Sequence, residues 1–306
     1  MKICVTGGAG FIGSNIVDKY IELGHEVVVL DNLSTGNKKN LNPKAKFYEI
    51  DVTSNEVETI FGAEKFDILN HHAAQVDVRV SVNNPIFDAQ TNIIGGINLY
   101  SFAVKYGVKK IIFASSGGTV YGEQEHFPAP ENDPTEPVSP YGISKLTNEK
   151  YIKYFNINDG IDYVIFRYAN VYGPRQNPFG EAGVVAIFAN KMLNGEQPFI
   201  NGDGLNTRDY IYVDDLVHAN VLALNAEIQG IYNIGTGIET DVNYIFNSLK
   251  EIIQSDCEEI YKPSKPGEQR RSSISPNKFY QDSGWIAKTR LNEGLVKTVE
   301  FFKNSK

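Results

Sequence analysis

The chain has 306 residues, a hydrophobic content of 42% and a formal net charge of −8 at pH 7. This length suits one large and one smaller domain with packed cores, and the acidic balance argues against nucleic acid or an anionic membrane as partner. Cys4 and Cys257 form neither a disulfide framework nor a metal-ligand spacing, which favours the reducing cytoplasm. Met1 leads directly into the first predicted strand, so we expect no signal peptide, and no apolar run reaches the length of a membrane span.

A glycine-rich turn follows that first strand, Lys2–Thr6. Gly7 suits a tight turn, Gly10 lets the backbone approach a pyrophosphate, and Gly13 lets the next helix pack closely on the strand. The N-terminus of that helix faces the anion. A carboxylate, Asp31, follows 21 residues after Gly10. This context predicts a dinucleotide site in preference to a glycine-rich turn without a ligand.

Asp31 ends the second predicted strand, residues 25–30, and favours NAD over NADP. A carboxylate at this point accepts hydrogen bonds from both hydroxyls of the adenosine ribose and repels a 2′-phosphate. Lys38 and Lys39 lie a few residues further on, where a lysine could receive such a phosphate, but in an Asn-rich loop lysines are more often solvated. We therefore expect NAD as the cofactor.

Strand and helix patterns then alternate along the chain. The further predicted strands are Lys46–Ile50, Phe66–Asn70, Lys110–Ala114 and Tyr163–Tyr168, and the helices are Asn55–Phe61, Pro85–Tyr106 and Pro140–Asn156. This order predicts an α/β fold with a doubly wound parallel sheet of the Rossmann type. After Gly173 the elements become shorter and more mixed. We expect an NAD-binding domain over residues 1–173 and a smaller, mixed substrate domain over residues 174–306, with segments 205–216 and 231–237 returning to the large domain.

A tyrosine and a lysine lie four residues apart in the helix that Ser139 and Pro140 begin. Tyr141 and Lys145 therefore share one helical face, about one turn apart. A nearby cation favours a phenolate and lowers the pKa of a tyrosine from about 10 towards working pH. The spacing is common by chance in a chain with 17 tyrosines, but the glycine loop upstream gives it weight. We predict that Tyr141 is a general base assisted by Lys145.

Hydroxyl groups follow the strand that precedes this helix, at Ser115, Ser116 and Thr119. Ligands of open parallel sheets bind beyond the carboxyl ends of the strands, so these hydroxyls are expected in the same crevice as the nicotinamide.

These motifs resemble those of the extended short-chain dehydrogenase/reductase family, most closely its nucleotide-sugar epimerases of the UDP-glucose 4-epimerase type. The resemblance covers the whole chain. It implies that the cofactor lies against the glycine loop, the ribose-binding pair, the adenine-binding turn, the end of the fourth strand and the base with its lysine. The residues are Gly7, Gly10, Phe11, Ile12, Gly13, Asp31, Asn32, Asp51, Val52, Ala73, Ala74, Gln75, Tyr141, Lys145 and Tyr168.

The same resemblance implies a nucleotide-sugar site in the second domain. Asn170 would lie towards the diphosphate, and Glu268 would hold the uridine ribose. Arg208 would clamp the diphosphate, for which a guanidinium is suited because it offers bidentate, charge-assisted bonds; the alternative is a salt bridge to Asp209 or to a surface partner. Three cations compete for a further contact to the nucleotide: Arg270, which we favour, Arg271 and Lys265.

Ser272 lies four positions after the ribose-binding acid, Glu268. In the family that the chain resembles, the residue at this position borders the C2 substituent of the sugar. A serine leaves space for an N-acetyl group, so we expect UDP-GlcNAc and UDP-GalNAc to be accepted alongside UDP-glucose and UDP-galactose. The alternative is that Ser272 is an ordinary loop residue outside the pocket.

The chain departs from the family at Gly117, the usual position of a catalytic serine or threonine. Ser116, one residue earlier, and Thr119, two residues later, are the candidates for this role, and we favour Ser116. The same loop argues against the related sugar 4,6-dehydratases, which need an acid-bearing pair after their threonine where this chain has Gly117 and Gly118.

The resemblance implies reversible inversion at C4 of a UDP-hexose, with NAD recycled in each turnover, and a homodimer formed through helices Pro85–Tyr106 and Pro140–Asn156. The alternatives are an NAD-dependent dehydratase or reductase of the same family and a cofactor-binding regulator, which would not need Tyr141 and Lys145. We expect no metal, because the spacings of the histidines at 71, 72, 126 and 218 fit no metal site.

Overall fold

The structure, a computed structural model, describes residues 1–179, 183–264 and 269–304. The strands are β1 Lys2–Thr6, β2 Glu26–Asp31, β3 Lys46–Glu49, β4 Ile68–His71, β5 Lys110–Ser116, β6 Asp162–Tyr168, β7 Asn170–Tyr172, β8 Ile200–Asn201, β9 Thr207–Tyr212, β10 Gly230–Ile234, β11 Glu239–Asp241 and β12 Tyr261–Lys262. The helices are α1 Phe11–Glu22, α2 Val57–Glu64, α3 Val78–Asn83, α4 Pro85–Asp88, α5 Gly95–Lys105, α6 Gly117–Val120, α7 Pro140–Asp159, α8 Val184–Leu193, α9 Val213–Leu222, α10 Val242–Ile253, α11 Asn277–Ser283 and α12 Leu291–Asn304. No helix in these ranges is both long enough and apolar enough to cross a membrane.

The largest sheet among the described residues has the strand order β10-β6-β5-β4-β1-β2-β3. β1 pairs in parallel with β2 on one side and β4 on the other, with Cys4 opposite Val28 and Leu69. The strand order reverses at β1, so a crevice opens beyond the carboxyl ends of β1 and β4. The predicted doubly wound parallel sheet is confirmed.

The strands of this sheet are apolar along their length because helices cover both faces. Val28 and Leu30 of β2, Ile111 of β5 and Ile165 of β6 are fully buried, and they pack in one cluster with Phe61 of α2. Strands buried on both faces read as continuous hydrophobic runs, which is why their positions could be predicted.

The chain divides into two compact units. The first comprises Met1–Gly122, Thr135–Arg167 and Val217–Tyr232, and the second comprises Glu123–Pro134, Tyr168–Leu216 and Asn233–Lys306. The division differs from the predicted one, because the second unit begins before Gly173 and the returning segment is Val217–Tyr232. Segment 205–216 contributes β9, which pairs with β7 in parallel and β11 in antiparallel fashion in the small mixed sheet.

The predicted helix Pro85–Tyr106 is interrupted. Between α4 and α5 the chain makes a π-helical segment, Ala89–Ile94. The side chain of Asn92 in this segment is buried; it donates to the carbonyl of Gln75 at 2.9 Å and accepts the Gln75 N–H at 2.8 Å. The wider turn therefore accompanies an inward-facing amide that ties the helix to the segment after β4.

α5 and α7 approach each other closely at Gly96. A Cβ added there would lie 2.1 Å from Oδ1 of Asn148 on α7, so only glycine permits this spacing. Asn148 in turn accepts a hydrogen bond from Tyr100 at 2.8 Å. The opposite face of α7 exposes an apolar stripe that includes Ile143, Tyr154 and Ile157.

Candidate active site

The loop between β1 and α1 is shaped by glycine. Gly7 has a φ of +70°, and a Cβ on it would lie 2.7 Å from the backbone nitrogen of Ala73. A Cβ on Gly13 would lie 2.2 Å from the carbonyl oxygen of Gly7. Gly10 precedes α1 and supplies no side-chain cap, so the N–H groups of the first turn are open to an anion. These residues fit the pyrophosphate of NAD, with Phe11 and Ile12 half-buried in the first turn of α1.

Asp31 ends β2 with its carboxylate fixed by the backbone. Oδ2 accepts the N–H of Ala9 at 3.0 Å, and Oδ1 accepts the N–H of Leu33 at 2.8 Å. Each oxygen keeps a lone pair for a ribose hydroxyl. Lys38 forms an ion pair with Glu49 at 2.9 Å, which reduces its availability to a 2′-phosphate. The arrangement fits NAD.

Asn32 and Asp51 form the next part of the predicted adenosine site. The Asn32 amide donates to Asp51 Oδ2 at 2.7 Å, and Thr53 donates its N–H and hydroxyl to Oδ1 at 2.9 and 2.7 Å. Partial burial raises the pKa of Asp51, but the bonds from Thr53 and Asn32 outweigh it, so the net pKa lies below the usual value. Asp51 is therefore an ionised acceptor, and the neighbouring Val52 is buried.

β4 ends at His71, and His72 and the predicted cofactor contacts Ala73, Ala74 and Gln75 follow it. Burial and the charge of Lys145 lower the pKa of His72 to about 3, and they hold that of His71 well below its usual value. Both rings are therefore neutral near pH 7. Thr6 Oγ1 lies 2.7 Å from His71 Nδ1 and accepts the N–H of Ala73 at 3.1 Å, which fixes the carboxyl ends of β1 and β4 together.

The side chain of Gln75 contacts other protein groups. Its Nε2 donates to Asp88 Oδ1 and to the carbonyl of Asp77, both at 3.0 Å, and its Oε1 accepts the Asp77 N–H at 2.6 Å. Sequence reasoning placed Gln75 at the cofactor and did not anticipate these bonds.

Tyr141 and Lys145 lie on the first turns of α7, as the spacing predicts. Ser139 caps this helix by accepting the N–H of Gly142 at 3.2 Å. The Lys145 ammonium lies 5.6 Å from the centre of the Tyr141 ring and donates to the carbonyl of Ala114 in β5 at 2.8 Å. Burial lowers the pKa of Lys145 to about 8, and the charge of Asp88 opposes this shift. Tyr141 is half-buried, so the pair combines a shielded cation with an accessible phenol.

The three candidate hydroxyls, two at the end of β5 and one in α6, have different environments. Ser115 is buried and donates to Glu149 Oε1 at 2.6 Å, so its hydroxyl stabilises the packing of α7 on β5. Ser116 is half-buried, stands before α6 and makes no side-chain cap bond. Oγ1 of Thr119 is buried and has no hydrogen-bond partner among the described residues. Both residues are half-buried, but the Oγ1 atom of Thr119 is shielded from solvent. The preference for Ser116 over Thr119 stays a prediction.

In the second unit, β7 and β9 bring Asn170 and Arg208 into one small sheet. Asn170 lies opposite Tyr210 in register, two residues from Arg208, so all three point to the same face. Arg208 donates to the carbonyl of Thr207 at 2.7 Å. Asp209 is buried and accepts from the Thr236 hydroxyl at 2.6 Å, so its carboxylate serves the turn after β10. Tyr168 is buried at the end of β6.

The C-terminal part of the predicted nucleotide site is described only from residue 269 onward. Glu268 and Lys265 lie outside the described residues. Arg270 is exposed and forms a bidentate ion pair with Asp203 at 2.7 and 2.9 Å. Arg271 pairs with Glu239 and stacks on the ring of Phe127. Both guanidiniums are therefore engaged with protein carboxylates, and Ser272 is buried next to them.

Within the described ranges, no group of three His, Cys, Asp or Glu side chains is arranged to hold a metal ion.

A model of the NAD dependent epimerase/dehydratase family matches residues 3–235. The chain belongs to this family. Three solved structures are similar at full length. The UDP-glucose 4-epimerase of Thermotoga maritima, solved with UDP-glucose, shares 50% identity with a TM-score of 0.98, covering 100% of this chain and 99% of that chain. The Thermus thermophilus UDP-glucose 4-epimerase, solved with NAD, shares 41% identity with a TM-score of 0.95, covering 100% of both chains. The UDP-N-acetylglucosamine 4-epimerase of Methanobrevibacter ruminantium, solved with UDP-N-acetylmuramic acid, shares 34% identity with a TM-score of 0.95, covering 100% of this chain and 99% of that chain.

The predicted resemblance and the NAD cofactor are thereby confirmed. Sequence reasoning missed one charged cluster of this NAD-dependent epimerase/dehydratase. Arg167 of β6 makes a buried, bidentate ion pair with Glu149 of α7 at 2.7 and 3.0 Å, and also donates to the hydroxyl of Tyr121 at 2.9 Å. Because Glu149 also accepts from Ser115, the cluster fixes α7 against the end of β5. The only sequence signal for it was an acid four residues after Lys145.

Proposed function

We propose that this enzyme interconverts UDP-glucose and UDP-galactose by inversion at C4. The observation that carries the proposal is the position of Tyr141 beside Lys145 on α7. The Lys145 ammonium donates to the carbonyl of Ala114 in β5, and all of these residues belong to the same unit as the glycine loop. A proton-transfer group and a hydride-accepting cofactor are the two requirements for oxidising a secondary alcohol. Similarity to a UDP-glucose 4-epimerase solved with UDP-glucose supports the choice of substrate.

In this mechanism Tyr141 removes the proton of the 4-hydroxyl and later returns it to the 4-keto sugar. Lys145 favours the phenolate through its positive charge, and Ser116 donates a hydrogen bond to the same sugar oxygen. NAD, when bound, supplies reversible hydride acceptance at C4. Inversion requires the sugar to present both faces, so Arg208 and Asn170 hold the diphosphate while few groups hold the sugar. We keep Glu268 as the proposed ribose ligand.

The principal rival is a dehydratase or reductase of the same family. Elimination of water needs an acid next to the catalytic hydroxyl, and Gly117 and Gly118 supply none. Incubation of the purified protein with UDP-galactose and UDP-glucose, without added NAD, separates the possibilities when products are resolved by anion-exchange chromatography. We expect the C4 epimer with no lasting absorbance change at 340 nm. A product lacking water, or conversion that requires stoichiometric NADH, would contradict the proposal, and Tyr141→Phe provides the inactive control.

We further propose that N-acetylated UDP-hexoses are substrates. Ser272 is buried and small, and the similar enzyme from Methanobrevibacter ruminantium is a UDP-N-acetylglucosamine 4-epimerase. Formation of UDP-GalNAc from UDP-GlcNAc, followed by chromatography, tests this breadth. Absence of the N-acetylated product from an enzyme that converts UDP-glucose would refute it.

We also propose a homodimer in which the exposed stripe of α7 packs on a second copy. Ile143, Tyr154 and Ile157 on α7 are 50–80% exposed, as are Ile86 on α4 and Ile94 in the π-helical segment. Contiguous apolar surface of this kind is typical of a protein interface. Light scattering should give twice the chain mass of 34.1 kDa, and Ile157→Arg should reduce it to the monomer value. A monomeric parent protein would contradict the proposal.

A cytoplasmic location is proposed on the basis of the thiols. Cys4 is buried and Cys257 half-buried, and both are free. Recovery of the protein in the membrane or secreted fraction of its host would contradict it.

A further inference from the structure

Asp88, the last residue of α4, is a fully buried carboxylate. Its Oδ2 accepts the Ser144 hydroxyl at 2.6 Å, and its Oδ1 accepts from the amides of Gln75 and Asn92, both at 3.0 Å. All three donors are neutral, and no lysine or arginine among the described residues forms an ion pair with Asp88. A buried charge without a contacting counter-charge is costly, so a compensating charge is expected nearby.

Lys145 is the matching buried cation. It follows Ser144 on α7, is 4% exposed, and forms no ion pair within the described part of the chain. Its ammonium donates to the carbonyl of Ala114 at 2.8 Å, a group that carries no charge. Asp88 and Lys145 are therefore two opposite buried charges, each hydrogen-bonded to neutral groups, and Asp88 accepts from Ser144, the residue next to Lys145 on α7.

The other titratable and charged groups around Lys145 do not substitute for Asp88. At the end of β4 and directly after it, His71 and His72 are neutral. On α7 itself, Tyr141 is the reacting group and Glu149 is paired with Arg167. The neighbouring helices contribute the pair Asp77–Arg79, the pair Lys105–Glu58 and the neutral phenol of Tyr100. Among the groups named here, Asp88 is thus the negative charge that no contacting cation balances.

We propose that Asp88 is a positioning residue of the active site: its buried negative charge keeps Lys145 protonated while Tyr141 exchanges its proton, and its bond to Ser144 fixes the register of α7. The inference concerns residues of the proposed epimerase mechanism and rests on it only for the kinetic consequence.

The physical reason lies in the competition between burial and charge at Lys145. Burial lowers the pKa of Lys145 to about 8, while the charge of Asp88 acts in the opposite direction. Without that charge the lysine would lose its proton at a lower pH, and a neutral lysine no longer favours the phenolate. The value of kcat would then fall at the alkaline side of its pH profile.

The test compares Asp88→Asn, which removes the charge, with Ser144→Ala, which removes one hydrogen bond and keeps the charge. Lysine labelled with 13C at Cε is titrated by NMR, and the Lys145 resonance is identified by its loss in Lys145→Arg. We expect the Lys145 titration in Asp88→Asn to move downward by about one pH unit or more, a tenfold change in its protonation ratio, while Ser144→Ala leaves the midpoint in place. An unshifted midpoint in Asp88→Asn would overturn the proposal.

The kinetic arm uses the pH profile of kcat. The alkaline limb should move to lower pH in Asp88→Asn, whereas Ser144→Ala should lower the maximum without moving the limb. If UDP-sugars are not converted at all, the proposed function fails while the NMR titration still decides the inference. If Asp88→Asn does not fold, the double variant Asp88→Asn, Lys145→Met removes both charges. Recovered folding would support the coupling of the two charges, and continued failure would overturn it.

Discussion

Replacement of the two candidate hydroxyls should give opposite effects on stability and activity. Oγ1 of Thr119 is buried without a partner in the described part of the chain, and such a group costs about 1–3 kcal/mol. Thr119→Val keeps the shape of the side chain and removes the hydroxyl, so the free energy of unfolding should rise by about 1 kcal/mol and Tm by about 2 °C. Turnover should stay near that of the parent enzyme.

Ser116→Ala should behave in the reverse way. The Ser116 hydroxyl is half-buried and makes no cap bond, so its loss should change the free energy of unfolding by less than about 0.5 kcal/mol. If Ser116 supplies the hydrogen bond to the sugar oxygen, kcat should fall by about a hundredfold.

Calorimetry gives Tm for both variants, and chromatography of UDP-glucose formed from UDP-galactose gives kcat. The NAD content of each preparation serves as the control for an intact cofactor site. A larger loss of kcat in Thr119→Val than in Ser116→Ala would refute the assignment. Full activity in both variants would show that Tyr141 works without a hydroxyl partner.

Three further substitutions test other parts of the site. Tyr141→Phe should lower kcat by about a hundredfold or more and leave the NAD content unchanged, because only the base is lost; near-normal turnover would contradict the mechanism. Ser272→Tyr should lower kcat/KM far more for UDP-GlcNAc than for UDP-glucose, since a steric clash discriminates by size; equal losses would contradict it. Glu149→Gln should lower the free energy of unfolding by about 3–5 kcal/mol, because Arg167 loses its buried carboxylate; an unchanged denaturation midpoint would rule this out.

Local patterns account for the parts of the site that the sequence predicts. The turn at Gly7 and the spacing of Tyr141 and Lys145 depend on neighbouring residues, so they are visible before any folding is known. The strands of the large sheet are visible because both of their faces are buried. Because these local patterns define the elements themselves, β5 and α7 differ from the predicted strand and helix only at their carboxyl ends.

Long-range pairing accounts for what the sequence does not predict. Asp88 and Ser144 lie 56 residues apart, and no local pattern marks them as partners. The π-helical turn beside Asn92 adds no irregularity to the apolar spacing, so Pro85–Tyr106 reads as one continuous helix. Arg270 carries a guanidinium, which is typical of a phosphate ligand. In the structure it pairs with Asp203, which is distant in sequence and becomes a neighbour only in the folded chain.

The two faces of α7 link assembly to turnover. The inner face of this 20-residue helix carries the base and its lysine, and the outer face carries the stripe of Ile143, Tyr154 and Ile157. Because an α-helix is rigid, a second copy that packs on the stripe in the proposed homodimer would restrict the motion of Tyr141 without contacting the sugar. In the proposed homodimer, kcat per chain should therefore fall when the enzyme is diluted below the dissociation constant of the dimer.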